Sequence, residues 1–211
     1  MDEMMFSPIQ SKVGEPVWEI AWLFPYQGDW TEADYLALET NRLIELDNGR
    51  LIFLPMPTMP HQLILGELVC RFHDFVRANR LGTVLPAPLP VRLWEGRYCE
   101  PDIVFMNQAR VNALTGDYPD GADLLVEVII GDEEDRNRDL KSKRTEYARA
   151  GVAEYWIVDP KKKRVTVLTL AGDEYMAHGE FKEGERATSV LLDGFAVAVT
   201  AVFAAAESGN R

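Results

Sequence analysis

The sequence predicts an α/β fold in which a mixed β-sheet is flanked by helices. Residues 124–130 form an almost unbroken apolar run of β character, which is typical of a strand buried on both faces. A charged segment of helical character follows, from about Asp135 to Ala150, and a second apolar strand begins at Glu154. Because strand, helix and strand in this order form a crossover unit, we expect part of the sheet to be parallel.

The composition is that of a folded domain. Of the 211 residues, 47% are hydrophobic and 27% are charged, which excludes a wholly disordered chain. We expect an N-terminal arm over residues 1–30, a single domain over 31–205 and a short tail over 206–211.

The net charge is strongly negative. The chain has 22 Lys and Arg residues against 34 Asp and Glu residues, which makes the formal net charge −12. A protein this acidic is not expected to adhere unspecifically to nucleic acid or to anionic membranes. It can still hold a local basic groove, or a divalent cation that neutralises its carboxylates.

The cysteines and the apolar stretches indicate a cytoplasmic protein. Cys70 and Cys99 are far apart and form no CxxC pair, so a disulfide scaffold or a zinc cluster is not expected. The first thirty residues lack the pattern of a signal peptide. The longest apolar stretch, residues 195–206, is about half of the ~20 residues that a membrane span needs. We interpret it as a strand running into a short helix.

In the N-terminal third of the domain, the sequence predicts a short helix, a β-hairpin and a long helix, in that order. Thr31 and Asp34 form a capping-box pattern that opens a short helix. Residues 42–46 and 50–54 are two strands of a hairpin, because Asn48-Gly49 between them suits a tight turn. Apolar residues then recur at helical spacing from about His61 to Arg80, and Gly82 should end this helix.

The remaining elements are mostly strands. The predicted strands are one or two over residues 83–93, one over 103–106, one over 154–159, one over 165–170 and further short strands up to residue 199. The basic segment 161–164 should form a solvated turn between two of them.

Glu127 is the most informative residue, because it interrupts the buried strand 124–130. A buried carboxylate is normally paired, neutral or bound to a metal, and a structural arginine near the strand end would satisfy it as well. Asp102 opens its own short strand after Pro101, so two neighbouring strand ends can present two carboxylates to one point. Mg²⁺ and Mn²⁺ prefer such oxygen ligands.

The helix after Glu127 carries a polar stripe. Asp139, Lys143 and Tyr147 are spaced by four residues and therefore lie on one helix face. A lysine aimed at the strand end can orient or deprotonate water and offset charge on a phosphoryl group. The alternative is a solvated salt bridge between Asp139 and Lys143. The same segment bears six basic side chains, which suit a phosphate backbone: Arg136, Arg138, Lys141, Lys143, Arg144 and Arg149.

Together these segments resemble the Uma2 family of restriction-endonuclease-like proteins, within the PD-(D/E)xK nuclease superfamily. The resemblance spans about residues 31–200. The matching motifs are Glu45-Leu46-Asp47-Asn48-Gly49, Pro57 and His61, Pro101-Asp102, Leu125-Val126-Glu127-Val128, Asp139 with Lys143 and Tyr147, and Gly151-Val152 with Glu154–Pro160. The resemblance implies a restriction-endonuclease-like sheet with an added N-terminal hairpin and C-terminal strands.

The resemblance also implies a divalent-metal site. Asp102 and Glu127 match the metal-binding acids, with the main-chain carbonyl of Val128 as a further ligand to Mg²⁺ or Mn²⁺. The lysine of the superfamily usually stands two residues after the Glu, where this chain has Ile129. In this family the lysine is expected on the following helix, and Lys143 matches it. A further departure is Ile130, where relatives often have a serine.

Glu45 and His61 match auxiliary positions of the family. They are expected to contact substrate or a second metal, or to orient the residues that do. Glu45 could instead form a hairpin salt bridge, and His61 could merely bond backbone at the start of its helix.

The leading functional hypothesis is an endonuclease that hydrolyses DNA phosphodiester bonds with a divalent metal. Lys143 would position the attacking water, Asp139 would tune Lys143, and Tyr147 would bond the lysine or a phosphate. Two alternatives stay open: a non-catalytic binding or assembly protein on a nuclease-like scaffold, and a hydrolase of small phosphate esters.

We also expect a homodimer and no membrane partner. Trp18, Trp22 and Trp30 in the N-terminal arm fit a packing or dimer contact better than stacking on bases.

Overall fold

The structure is a computed structural model that describes residues 24–40, 42–129 and 141–207. Within these ranges there are five helices and twelve strands. The helices are α1 (Glu32–Leu36), α2 (Met59–Asn79), α3 (Gln108–Ala113), α4 (Lys143–Arg149) and α5 (Val199–Glu207). The strands are β1 (Ile44–Asp47), β2 (Arg50–Phe53), β3 (Gly82–Pro86), β4 (Val91–Trp94), β5 (Arg97–Cys99), β6 (Ile103–Asn107), β7 (Leu124–Val128), β8 (Glu154–Asp159), β9 (Arg164–Ala171), β10 (Glu174–Lys182), β11 (Arg186–Thr188) and β12 (Ala196–Ala198).

A six-stranded mixed sheet forms the centre of the molecule, with the strand order β10-β9-β8-β7-β6-β3. Strands β7 and β8 are parallel, and the other neighbours in this sheet are antiparallel. The parallel pair confirms the crossover expected from the sequence. The mixed α/β fold predicted for the chain is therefore present.

The two faces of this sheet bury different side chains, because successive residues of a strand point to opposite sides. Leu124, Val126 and Val128 of β7 pack on the face covered by α2 and α5. Leu125 and Ile129 pack on the other face, among residues of α4. Glu127 alternates with the first set and therefore points to the α4 face. All five residues of β7 are buried, as the apolar run predicted.

A four-stranded antiparallel sheet, in the order β2-β1-β5-β4, lies beside the first. The β1–β2 turn has positive φ at Asn48 (46°) and Gly49 (77°), as predicted for the hairpin. A Cβ at Gly49 would lie 2.3 Å from the carbonyl oxygen of Gly28, so this position also requires glycine for close packing. Trp30 packs in a small core beside this sheet, which accords with the packing role expected for it.

Two boundaries differ from the prediction. Helix α2 begins at Met59 and ends before Gly82, because Arg80 already adopts the left-handed conformation (φ 55°) that caps it. Gly82 instead starts β3, where a Cβ would lie 2.0 Å from the carbonyl oxygen of Met106. Strand β5 was not predicted, because three residues between a turn and a proline are too few to show a period.

Other predictions are confirmed within the described ranges. The capping box of Thr31 and Asp34 is formed at α1. Strand β12 runs into α5 as expected of the last apolar stretch. The helix predicted from Asp135 is seen from Lys143 onward, and residues 135–140 lie outside the described ranges, as do Trp18 and Trp22. Among the described helices, none combines the length and apolar character needed to cross a membrane.

Candidate active site

The two predicted acids lie next to each other at one end of the neighbouring strands β6 and β7 of the central sheet. Strands β6 and β7 are antiparallel, with Ile103 opposite Val126, so Asp102 comes beside Glu127. Both face the α4 side and both are largely buried. The main-chain N–H of Val128 donates to Oδ2 of Asp102 at 2.7 Å, which fixes the Asp102 carboxylate against the end of β7.

His61 supports the Asp102 carboxylate from the other side. Its ring Nε2 lies 3.1 Å from Oδ1 and 3.2 Å from Oδ2 of Asp102. The main-chain N–H of His61 bonds the hydroxyl of Thr58, which caps the helix. His61 therefore does more than bond the backbone near the start of α2, because its buried side chain turns toward the predicted metal-binding acid.

Glu127 is bound by two side chains of helix α4. Its Oε1 lies 2.7 Å from Nζ of Lys143 and accepts a hydrogen bond of 2.6 Å from the hydroxyl of Tyr147. Burial, followed by the negative charge of Glu127, raises the pKa of Tyr147 well above its usual value. Tyr147 therefore keeps its proton and donates it to Oε1 of Glu127.

Lys143 points into the protein. Its side chain is buried, with 5% exposed, so it does not lie on a solvated helix face. Asp139, the partner considered for a surface salt bridge, lies outside the described residues, as does Ile130. Ile129, at the usual lysine position of the superfamily, is 2% exposed and packs in the core with Tyr147. The structure therefore brings the lysine of the helix, and not residue 129, to the acid.

Glu45 faces the other side of Lys143. Its Oε1 lies 3.7 Å from Nζ of Lys143, and its Oε2 lies 2.9 Å from Nη2 of Arg97. Burial alone would raise the pKa of Glu45, but the charges of Lys143 and Arg97 outweigh it and hold the pKa below its usual range. Glu45 therefore forms a salt bridge with Arg97 of strand β5, in place of the one considered within its own hairpin.

The two acids Asp102 and Glu127 line a small cavity of about 40 Å³ together with His61 and Lys143. It has room for very few water-sized groups, since each buried water needs at least ~10–15 Å³ of such space. Its lining combines polar and apolar residues: Leu43, Leu54, Pro55, Pro57, His61, Glu100, Asp102, Glu127, Val128 and Lys143.

Glu100 lies in this cavity and was not predicted from the sequence. Burial raises its pKa to about 7, and the negative charge of Glu45 adds to the effect. Its Oε2 is buried and has no hydrogen-bond partner among the described residues. The only sequence signal was its place two residues before Asp102.

The donor set fits a hard divalent cation. Among the described residues, no three His, Cys, Asp or Glu side chains are grouped so that they alone could hold a metal ion. Mg²⁺ does not require such a group, because it usually binds one or two carboxylates and keeps water or substrate oxygens. Two adjacent carboxylates and an unpartnered buried carboxylate oxygen at Glu100 match that preference.

A family model and a solved structure that are similar to this chain both carry the description of a putative nuclease. The family model of Uma2, described as "Putative restriction endonuclease", matches residues 32–200. The crystal structure of "a putative nuclease belonging to DUF820" from Anabaena variabilis is similar, with 18% identity and a TM-score of 0.69. The match covers 84% of this chain and 99% of that one. At this identity the likeness shows the fold, which is restriction-endonuclease-like. None of the curated proteins compared with the chain matches it.

Proposed function

The chain belongs to the Uma2 family of restriction-endonuclease-like proteins, and from this premise we propose that it is an endonuclease that hydrolyses DNA phosphodiester bonds with a divalent metal. The observation that supports the proposal best is the convergence of Lys143 on Glu127, at 2.7 Å, beside Asp102 in one cavity. Two acids and a lysine are the side chains that metal-assisted phosphodiester hydrolysis uses.

Asp102, Glu127 and the main-chain carbonyl of Val128 would hold the metal. Bound there, Mg²⁺ or Mn²⁺ would act as a Lewis acid toward a phosphate oxygen and lower the pKa of a bound water. The protein itself fixes the two acids. His61 and the N–H of Val128 orient Asp102, while Tyr147 and Lys143 orient Glu127.

Lys143 would orient the attacking water and offset negative charge on the phosphate in the transition state. It lies between the carboxylates of Glu127 and Glu45, so its ammonium is held close to the cavity that the phosphate would enter. Tyr147 follows Lys143 by one helical turn and donates to the same oxygen of Glu127. We assign Tyr147 and Glu45 the role of positioning Lys143 and Glu127.

Purified protein with Mg²⁺ or Mn²⁺ and supercoiled plasmid, linear duplex or single-stranded DNA tests the proposal. We expect wild type to cut at least one of them. Lys143→Ala and Glu127→Ala should each slow cutting by about 100-fold or more. Lys163→Ala is the matched control, because Lys163 is exposed and pairs with Glu183 and Glu207 on the surface. Equal cutting by all variants would contradict the assignment.

Two further assays separate the alternatives: hydrolysis of a chromogenic phosphodiester and calorimetric titration with Mg²⁺. A hydrolase of small phosphate esters would cleave a chromogenic phosphodiester but no DNA. A binding or assembly protein would hydrolyse neither substrate and would release no heat on titration with Mg²⁺. The net charge of −12 favours this second alternative, since it opposes broad contact with DNA.

We further propose a homodimer in the cytoplasm. Cys70 and Cys99 are free thiols, one exposed and one buried, as a reducing compartment would maintain. Light scattering coupled to size exclusion would measure the mass of the particle. A mass near 23.9 kDa, that of one chain, would contradict the dimer.

A further inference from the structure

Arg97 is the centre of a buried charge network that joins the smaller sheet to helix α4. It is 3% exposed and begins strand β5. Its Nη2 lies 2.9 Å from Oε2 of Glu45 and 2.7 Å from Oε2 of Glu146. Its Nε donates to the same oxygen of Glu146 at 2.9 Å. One guanidinium therefore binds a strand carboxylate and a helix carboxylate together.

Main-chain groups hold the guanidinium in place. Its Nη1 donates to the carbonyl oxygens of Leu46, at 3.1 Å, and of Tyr98, at 2.6 Å. Burial opposes the positive charge, but Glu45 and Glu146 outweigh this and raise the pKa of Arg97. The group is therefore a permanent cation with fixed orientation, which a flexible lysine could not reproduce.

Both carboxylates that Arg97 binds are connected to Lys143. Glu146 is connected through the backbone of α4, and Glu45 through its closeness to the ammonium. Glu146 is three residues after Lys143 on the same face of α4, so its bond to Arg97 holds the first turn of that helix against β5. The other oxygen of Glu45 lies 3.7 Å from Nζ of Lys143. Arg97 thus restrains the backbone that carries the lysine as well as a carboxylate that the ammonium faces.

We infer that Arg97 is a positioning residue, which sets the ammonium of Lys143 against Glu127 through Glu146 and Glu45. Its kinetic consequence rests on the proposed nuclease function, but its effect on the lysine does not. If Arg97 is lost, Lys143 is the cation that still faces Glu45 among the described residues, and the ammonium should move away from Glu127.

Nuclear magnetic resonance of lysine ammonium groups tests the inference without an assay of activity. A buried ammonium bonded to Glu127 should give a slowly exchanging ¹H–¹⁵N signal, assigned by its loss in Lys143→Met. We expect Arg97→Gln and Arg97→Lys to shift or broaden this signal. Arg92→Gln is the matched control and should leave it unchanged, because Arg92 lies in the neighbouring strand β4 and pairs instead with Glu32 and Asp120.

Kinetics with DNA supply the second readout. Arg97→Lys should lower kcat by about 100-fold, the effect of a misplaced catalytic group, while KM and the Mg²⁺ dependence stay within about twofold of wild type. A change of KM alone would contradict a positioning role. Arg92→Gln should leave both constants unchanged.

A second variant keeps the inference testable if Arg97 variants do not fold. Glu146→Gln neutralises only the carboxylate that links Arg97 to the helix and so weakens this link, and because it replaces a partly exposed side chain the fold should survive. It should also perturb the Lys143 signal. An unchanged Lys143 signal in a folded Arg97→Gln or Glu146→Gln protein would overturn the inference. If the signal changes but no protein cuts DNA, the positioning stands and the proposed nuclease function fails.

Discussion

The ammonium of Lys143 lies 2.7 Å from Oε1 of Glu127, although the residues are sixteen positions apart and belong to different elements. In the superfamily that the sequence resembles, the lysine usually stands two residues after the acid, on the same strand. Here that strand position is Ile129, which is packed in the core. Helix α4, which packs on one face of the sheet, therefore supplies the positive charge that the strand lacks.

Divalent metal should stabilise the folded protein through Asp102. A ligand that binds only the folded state at a concentration 100 times its Kd stabilises it by about 2.7 kcal/mol. We expect the melting temperature of wild type to rise with added Mg²⁺ or Mn²⁺, and Asp102→Asn to remove most of this rise. Asp123→Asn is the control, because Asp123 pairs with Arg110 away from the cavity. Equal shifts in all three proteins would place the metal elsewhere.

Tyr147→Phe should weaken both the fold and the activity. The change removes the hydroxyl that donates to Oε1 of Glu127, beside Lys143, and leaves the ring packed on Tyr155. We expect a loss of about 1–3 kcal/mol in the free energy of unfolding, measured by urea denaturation. Tyr175→Phe also removes a buried hydroxyl, which donates to the carbonyl of Val152. It should destabilise the protein but leave DNA cleavage intact, and equal loss of cleavage in both variants would contradict this.

Glu154→Gln should reduce the stability of the fold without changing metal binding. Glu154 is fully buried, and its carboxylate accepts hydrogen bonds from side-chain and main-chain donors: Trp156 Nε1, Ser189 Oγ, Val190 N and Leu191 N. An amide offers one acceptor oxygen in place of two, so we expect a loss of about 2 kcal/mol. Calorimetry should show unchanged Mg²⁺ binding. A weakened metal affinity would mean that this acid is coupled to the site.

The stabilising effect of Glu45 should depend on pH. Lys143 and Arg97 lower its folded pKa, so its contribution is complete above the unfolded value of about 4.5 and is lost as the pH falls below it. At pH 7, Glu45→Gln should cost about 3–5 kcal/mol, since it breaks a buried ion pair. Urea denaturation of both proteins should show this difference shrinking at acid pH. A difference that grows on acidification would contradict the assignment.

Local patterns in the sequence were enough for most of the fold. Alternation of apolar residues, the Asn48-Gly49 turn and the cap at Thr31 each act within a few positions, and the structure has the elements that they predict. The same holds for the neighbouring placement of Asp102 and Glu127, because both lie at ends of strands that the hydrophobic pattern identifies.

By itself the sequence thus determined the α/β class, the paired acids and the polar stripe that includes Lys143 and Tyr147. Only the tertiary structure decided what these side chains face. Arg97 meets Glu45 and Glu146 across 52 and 49 positions, and Glu100 enters the cavity from a short unpredicted strand end. Charge pairing depends on distance in space, and neither spacing nor periodicity along the chain records which distant strand will supply the partner.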